Sequence, residues 1–345
     1  CMGFIHEKKV YLSQYLGDLS HADTEQHFLD TRRALKRLLQ FRPKVLLADL
    51  HPGYVSTRLA RNWGEENNIE VACIQHHRAH FAAILGEHRL FDSEDPILGF
   101  IWDGTGFGED GNIWGGEGFL YHKSGMKRIG HVAYFPSIAG DKMAREPRLA
   151  ALALLPNEPL CLDKFSPIEQ QIYLKLIERS TLKTSSMGRV FDAVASLLEI
   201  CEVQRYEGEA ALKLEAMARS FLKRTGSFPR PYPFTLLHAH LAIQQILTGI
   251  VQDIRAGEDK ELIAAKFHMT LVLYIREVAD RLGVRKIACS GGVFQNSILV
   301  DGLHHVLGQA YQLYFHSALS PNDENIAFGQ LMYYAQQNSI QLSIA

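Results

Sequence analysis

The sequence predicts an α/β protein built in two lobes, and three observations carry that expectation. Strands alternate with helices over residues 9–94. The texture changes at Pro96, where a glycine-rich strand hairpin begins. At 345 residues the chain is also long for a single compact core.

Residues 9–16 (KVYLSQYL) read as a short strand ended by Gly17-Asp18. Asp23 with Gln26 three residues later has the form of a capping box opening a helix. Phe28, Ala34, Leu35, Leu38 and Leu39 recur at helical spacing until Pro43. Residues 45–49 read as a buried strand, 54–63 as a helix and 69–74 as another strand, with 81–85 continuing as a helix. That alternation implies a parallel sheet with crossovers. Residues 97–102 and 113–120 read as the strands of a hairpin around DGTGFGEDGN. Residues 141–225 look helical, broken by Pro147, Pro156, Pro159 and Pro167, and 224–233 form a loop. Ile263, Phe267, Leu271, Tyr274 and Val278 mark one face of a long helix that Gly283 terminates. A strand at 285–289 feeds SGGVFQN and a further helix, and the last helix spans 325–337. The expected division is 1–94 for lobe I, 95–324 for lobe II with a helical insertion at 141–225, and 325–345 for a C-terminal helix.

Composition excludes several classes. A net charge of −2 gives no general attraction to nucleic acid or membrane. No apolar run approaches the roughly 18 residues of a membrane span, and no signal peptide is recognisable. Cys1, Cys73, Cys161, Cys201 and Cys289 lie far apart without a CxxC pair. That argues against a zinc ribbon or a disulfide framework and fits a reducing cytoplasm. Because Cys1 opens the chain and apolar residues follow almost at once, a fragment of something longer is expected.

The sharpest chemical feature is His76 and His80 in QHHRAHF. Side chains at i and i+4 share one helical face, so both imidazoles can meet one metal ion, although the spacing alone more often means polar residues at a helix start. Asp103-Gly104-Thr105-Gly106 is placed in the tight turn of the hairpin. Glycines there let backbone N–H groups approach an anion, and an acidic residue leading the loop can hold a metal. Ser290-Gly291-Gly292-Val293-Phe294-Gln295-Asn296 joins a strand to a helix N-terminus, a place that favours negative charge. It has neither the lysine of a Walker loop nor the third glycine of a dinucleotide motif. Asp323 precedes the final helix, where an aspartate is a good N-cap. Asp192 and the run Tyr206-Glu207-Gly208-Glu209 read, alone, as solvated carboxylates. No nucleophile elbow of the GxSxG kind is present.

Taken together the segments resemble the HypF family of carbamoyltransferases of NiFe-hydrogenase maturation. The likeness is to its C-terminal domain, shared with the universal tRNA threonylcarbamoyladenosine synthases. It rests on YLSQYLGDLSHADT, ADLHPGYVST, QHHRAH, WDGTGFGEDGNIWGGEGF, GDKMAREP, SSMGRVFDAVASLL, YEGEAALKLE, AAKFH, CSGGVFQNSIL and SPNDENIAFGQ, which run from residue 11 to residue 330. The resemblance implies the two-lobed ASKHA fold of actin and sugar kinases, each lobe a mixed sheet flanked by helices. It implies a divalent metal, iron or zinc and possibly Mg, held by His76, His80, Asp103 and Asp323. It implies ATP or carbamoyl-adenylate bound by Gly104, Thr105, Gly106, Asp192, Glu207, Gly208, Gly291, Gly292 and Asn296. His76, His80 and Asp103 would serve catalysis.

The implied reaction is transfer of a carbamoyl group from carbamoyl-adenylate to the C-terminal cysteine of HypE, for the cyanide ligands of the hydrogenase iron. The family's upstream acylphosphatase domain, paired zinc fingers and YrdC-like domain are absent here, and the chain starts just after the first glycine-rich turn of lobe I. It is therefore expected not to form carbamoyl-adenylate alone. Three other readings stand beside this one: O-carbamoylation of a small-molecule hydroxyl, threonylcarbamoyl transfer to tRNA, and a non-catalytic truncated binding module.

Overall fold

The computed structural model describes residues 1–342 apart from Asp18, Ser20, Phe41, Ser124 and His238. Two short strands, β1 (Gly3–His6) and β2 (Lys9–Leu12), form an antiparallel hairpin. Its turn residues Glu7 and Lys8 have φ of 48° and 65°, the twist that closes a two-residue hairpin. The second strand is thus shorter than the 9–16 expected, and Asp18 of its stop signal lies outside the described residues. Helix α1 (Ala22–Leu39) starts at His21 with no side-chain cap, so the Asp23/Gln26 capping box does not form. Strands β3 (Val45–Asp49) and β4 (Glu70–Ile74) pair in parallel through the crossover helix α2 (Val55–Asn67). Helix α3 (His76–Glu87) follows β4 directly.

The remaining elements build a seven-stranded sheet and its helical cover. Its strands are β5 (Ile97–Phe107), β6 (Ile113–His122), β7 (Gly125–His131), β8 (Phe135–Pro136), β9 (Lys183–Thr184), β12 (Lys286–Ser290) and β13 (Gln312–Tyr314). Their order is β13-β12-β5-β6-β9-β8, with β7 also paired to β6. The small hairpin of β10 (Leu236–Leu237) and β11 (His240–Leu241) forms its own ladder and touches the large sheet through a Val132–Leu241 bridge. Helices α4 (Asp141–Arg145), α5 (Pro147–Leu154), α6 (Pro159–Leu162), α7 (Pro167–Arg179), α8 (Met187–Leu197) and α9 (Glu209–Thr225) occupy the segment expected to be helical. Then come α10 (Ile243–Ala256), α11 (Lys260–Leu282), α12 (Ser297–Leu307) and α13 (Ile326–Gln337). No helix among the described residues is long and apolar enough to cross a membrane.

The α/β class holds, with one difference. Among the described residues of the first 94, the strands form two separate two-stranded ladders rather than one mixed sheet. The larger sheet is mixed: β12 runs parallel to both β5 and β13, whereas β5–β6 and β6–β7 are antiparallel.

The main core lies where α5, α8 and α11 cover the large sheet, with Phe100, Trp102, Phe191, Phe267 and Tyr274 buried among them. α11 begins at Asp259, whose carboxylate accepts from Glu261 N–H, and ends at Gly283 in the left-handed region. Trp102 stacks on Tyr274 at 6.1 Å and on Phe294 at 5.2 Å. That sandwich pins the end of β5 to the SGGVFQN junction. Across the other side, α13 packs on α3 so closely that Gly329 faces the Ala79 carbonyl with no room for a Cβ.

Candidate metal and nucleotide site

Three distant segments converge on one point. Gln75 caps α3 by accepting from Arg78 N–H, which places His76 in the first turn and His80 one turn on. Their rings lie 4.9 Å apart, both buried. Asp103 follows Trp102, and here the β5–β6 register slips between Trp102 and Gly106. Asp103, Gly104 and Thr105 therefore form a bulge inside β5, not the hairpin turn expected from the sequence. The turn itself lies further on, closed by Gly108 N–H to Asn112 O at 2.8 Å. A bulge re-aims side chains out of the ladder, which turns the Asp103 carboxylate toward α3.

Asp323 opens a single 3-10 turn, Asp323–Asn325, ahead of α13. Its expected capping role is taken by Asn322, whose Oδ1 accepts from Glu324 N–H at 3.1 Å. The Asp323 carboxylate is free to face the histidines.

One donor atom from each of His76, His80, Asp103 and Asp323 lies within 4.8 Å of all the others. His76 Nε2 is 3.3 Å from Asp103 Oδ2 and 3.4 Å from Asp323 Oδ1. His80 Nε2 is 3.6 Å and 3.5 Å from the same two oxygens. Charge-assisted hydrogen bonds run shorter, about 2.7–2.9 Å. A tetrahedral site with bonds of about 2.0–2.2 Å sets its donors ~3.3–3.6 Å apart. The four separations match the edges of such a polyhedron. His80 Nε2 is moreover buried without any hydrogen-bond partner, a costly state that a bound cation relieves. The residues present fit a divalent metal held by two nitrogens and two oxygens, a donor set that suits zinc or iron.

Behind the donors stand partners that the sequence reading did not single out. Asp49, at the end of β3, accepts from His76 Nδ1–H at 2.9 Å. Asn325 lies 3.0 Å from His80 Nδ1 through its side-chain oxygen. Such outer contacts orient a ligating imidazole so that its other nitrogen faces the metal. The available signals were weak, an Asp closing a strand in ADLHP and an Asn two residues after Asp323.

The charges reinforce one another. Burial works against protonation of His76, but the Asp323 charge and hydrogen bonds to Asp103, Asp323 and Asp49 outweigh it and raise the imidazole well above its usual range. His80 is raised too, burial again being overcome by Asp103 and Asp323. Burial would raise Asp103, yet the His76 and His80 imidazoles facing it hold its carboxyl well below the ordinary value. Asp323 is likewise depressed, with the His76 charge as the main force against burial. Next to them His77 goes the other way, pushed well down by burial and by the His76 charge. Its Nδ1 faces Gln75 Nε2 at 3.1 Å.

The residues expected to hold nucleotide divide into two groups. Gly291 has φ of +99°, and a Cβ there would sit 2.2 Å from Trp102 O, so the turn demands glycine. Gly292 N–H points at Asp103 Oδ1 at 3.4 Å, which joins the SGG turn to the DGTG bulge. Gly104 faces open space, and Thr105 is exposed beside it. Ser186 Oγ donates to Gly104 O, and Gly188 approaches the Gly104 Cα, so the N-terminus of α8 abuts the bulge.

Further along α8, Asp192 pairs with Arg189 at 2.8 Å and accepts from Gln204 Nε2 at 3.2 Å. Its Oδ2 lacks an aligned hydrogen bond, as does Arg189 Nε. Burial pushes the carboxyl up to about 6 against the pull of Arg189. Gln204 Oε1 in turn accepts from Ala210 N–H, tying Asp192 to the start of α9, where Gly208 has φ of +78°.

The other group is less open. Gly106 packs against His77, where a Cβ would come 2.5 Å from the ring, so its role is close packing. Asn296 is buried, capping α12 through Leu299 N–H and contacting His268 Nε2 at 3.0 Å. Glu207 is exposed. Two surface depressions of about 660 and 630 Å³, one beside Cys73 and one beside Phe228, lie away from the four donors.

Comparison with known proteins agrees with this geometry. Residues 1–87 match the HypF Kae1-like domain, and residues 99–330 match the second subdomain of the carbamoyltransferase Kae1-like domain. Carbamoyltransferase HypF of Synechocystis is 34% identical, covering 94% of this chain and 44% of its own length. A carbamoyltransferase HypF homolog of Cupriavidus necator is 31% identical over 86% of this chain and 78% of its own length. T. kodakarensis HypF superposes with a TM-score of 0.86 at 27% identity, over 99% of this chain and 46% of that one. Full-length HypF in a phosphate- and nucleotide-bound form gives a TM-score of 0.85 at 30% identity, over 97% of this chain and 53% of that one. The chain spans less than half the length of the Synechocystis relative. With these sequence matches and the close superposition on HypF, the chain belongs to the HypF carbamoyltransferase family, in its Kae1-like domain.

Proposed function

We propose that this domain transfers a carbamoyl group from carbamoyl-adenylate to the C-terminal cysteine thiolate of HypE, supplying the cyanide ligands of a hydrogenase iron. The observation that carries the reading is the convergence of His76, His80, Asp103 and Asp323 within 4.8 Å, beside glycine turns, in a chain of this family. His76, His80, Asp103 and Asp323 would hold the divalent metal, iron or zinc. When bound, such an ion supplies Lewis-acid stabilisation of negative charge on a phosphate or carbonyl oxygen.

The chain's own residues bind and orient. Gly104, Thr105 and Gly292 offer backbone N–H groups and a hydroxyl to phosphate oxygens, while Gly291, whose own N–H is donated to Pro321 O at 2.9 Å, shapes the turn that presents Gly292. Asp192 Oδ2, buried and without an aligned donor, is suited to accept a hydrogen bond from a ribose hydroxyl. Asp49 and Asn325 hold the imidazoles at fixed angles. The cysteine that leads into the SGG turn does not serve as the acceptor. Cys289, next to Ser290, is buried, and burial pushes its thiol far above the ordinary value. The acceptor therefore brings the sulfur: its thiolate attacks the carbamoyl carbon, the C–S bond forms, the carbamoyl C–O bond to phosphate breaks, and AMP leaves.

The same reading divides the chain near residue 94 into two lobes, with α13 returning to α3. It places the protein in the cytoplasm, and it takes the upstream YrdC-like and acylphosphatase domains of the full-length family as the source of the adenylate.

Elemental analysis of the purified chain beside a His76→Ala, His80→Ala double variant tests the ligand set, and equal metal in both sinks it. Labelled carbamoyl transfer from synthetic carbamoyl-adenylate tests the acceptor. Label on HypE, lost when its terminal cysteine is replaced, is the expected result. Label on tRNA or on a small-molecule hydroxyl instead would replace this reading.

A further inference from the structure

A second set of buried polar groups lies directly behind His80. Glu87 Oε2 contacts His316 Nδ1 at 2.5 Å, and His316 Nε2 lies 2.8 Å from Ser290 Oγ. Ser290 Oγ is 3.4 Å from Asn325 Nδ2 and 3.5 Å from His80 Nδ1. Glu87 closes α3, His316 follows β13, and Ser290 ends β12, so the set ties three elements together. Its connectivity is that of a Ser–His–Glu hydrolytic triad, but Ser290 is fully buried. Among the described residues its oxygen meets His316, His80 and Asn325, and with no exposed surface it is closed to a substrate.

The chemistry of the donors fixes the direction of every proton. Glu87 stays ionised. Burial opposes that, but the Ala318 and Ser317 N–H groups and His316 hold it at about 2. A carboxylate only accepts, so His316 carries its hydrogen on Nδ1 and presents a lone pair on Nε2. Ser290 then donates its hydroxyl to His316 and leaves its oxygen lone pairs to accept. Asn325 turns its Nδ2 group toward Ser290 Oγ, and toward Ser320 O at 2.9 Å. Its Oδ1 is thereby directed at His80 Nδ1, 3.0 Å away. His80 must hold its hydrogen on Nδ1, and the Nε2 lone pair is left facing Asp103 and Asp323.

We infer that Glu87, acting through His316, Ser290 and Asn325, is a positioning residue that sets the tautomer of His80 and so presents its Nε2 as a metal ligand. This rests on the metal reading proposed above and extends it to a regulator of ligand geometry more than one contact away. Glu87→Gln reverses the relay by a traceable route. Glu87 Oε1 accepts from Ser317 and Ala318 N–H, both at 2.7 Å. The glutamine oxygen keeps that place, and its NH2 faces His316 Nδ1. His316 shifts its hydrogen to Nε2, where it opposes the Asn325 Nδ2 group 3.3 Å away. The amide turns over, giving up its bond to Ser320 O, so that its oxygen accepts from His316 and its NH2 faces His80 Nδ1. His80 then carries its own hydrogen on Nε2, where the metal should bind.

The test is Zn2+ affinity of the full chain by competition with a chromophoric chelator, with melting of the chelator-treated protein as a check on the fold. Glu87→Gln should bind Zn2+ about 10–100-fold more weakly, the usual range for loss of an outer-shell partner. Adding Asn325→Asp should restore most of that loss, because a carboxylate accepts from His80 Nδ1–H whichever way the relay points. A merely loosened fold would not be rescued in this way. Should Glu87→Gln fail to fold, Asn325→Leu removes the acceptor at the end of the same relay and must show the same weakening. Native affinity in either variant, or no rescue by Asn325→Asp, overturns the relay alone. A native chain that binds no Zn2+ overturns the ligand set and the relay with it.

Discussion

The packing of α13 on α3 makes a substitution far from any charged group a test of the site. Gly329 lies six residues after Asp323, and a Cβ built there comes 1.9 Å from the Ala79 carbonyl oxygen. Ala79 directly precedes His80 in α3. Contacts of that kind begin at about 3.4 Å, so Gly329→Ala must push the two helices apart by about 1.5 Å. Overpacking of this kind costs about 1–3 kcal/mol, which lowers the melting temperature by a few degrees. The consequence for the site is larger. Asp323 now stands 3.4 Å from His76 Nε2 and 3.5 Å from His80 Nε2. Moved with its helix, it would stand ~5 Å away, beyond the ~3.3–3.6 Å edge of a four-coordinate metal site. Zn2+ affinity by chelator competition should fall by at least the 10–100-fold seen when a supporting contact is lost. Gly125→Ala, whose Cβ meets only a carbonyl at 3.7 Å, serves as the control. Native affinity and native melting in Gly329→Ala would refute the claim that helix spacing sets the ligand geometry.

Other outcomes follow from the same distances. His76 and His80 hold protons above the ordinary 6.5 in the metal-free fold, so their stabilisation is complete below that value and is lost as pH rises through the raised values. Asp103 and Asp323 contribute above the ordinary 3.8, and that contribution disappears only as pH falls through their depressed values. Chelator-treated protein should therefore melt lower as pH is raised from 6.5, while Zn2+ takes the place of the protons. A gap between zinc-loaded and metal-free melting that stays constant from pH 6 to about 8.5 contradicts this. Glu117 is fully buried and accepts from Gly115 N–H, Gly116 N–H, Ser185 and Arg128. Glu117→Ala leaves those donors stranded and should cost about 3–5 kcal/mol in denaturant unfolding; a loss under 1 kcal/mol would count against it. Asp192→Ala should weaken ADP binding about tenfold by calorimetry with Zn2+ affinity intact, and unchanged ADP affinity removes Asp192 from the site.

Much of the fold was legible in the sequence because its signals are local. The strand at Val45–Asp49 and the helix ended by Gly283 are where periodicity and the glycine stop put them. The Asp23/Gln26 box misled because capping depends on where the chain enters the helix, and it enters at His21. Strand β13 has three residues, too few for any pattern. Helix α10 is a different case. Ile243, Ile246, Leu247, Ile250 and Val251 are its buried face, and their helical spacing was there to be read behind the proline-rich loop.

The site divides along the same line. His76 and His80 are one turn apart, so their pairing needs only a helix. Asp103 needs a bulge, whose position depends on how β6 pairs with β5, and no local spacing predicts a register slip. Asp323 resembles a cap in isolation and becomes a candidate ligand only because Asn322 caps in its place. Asp49 and Asn325 approach the histidines across 27 and 245 residues of sequence. Glu87 and His316, 229 residues apart, act on His80 only through hydrogen-bond direction, which spacing does not encode. What joins these parts is close backbone approach at positions without a Cβ. Gly329 lets α13 carry Asp323 to α3, and Gly291 lets the SGG turn lie on Trp102 beside Asp103. The ligand set is therefore a property of two tight packings, and a methyl group at either position should disperse it without touching a single donor atom.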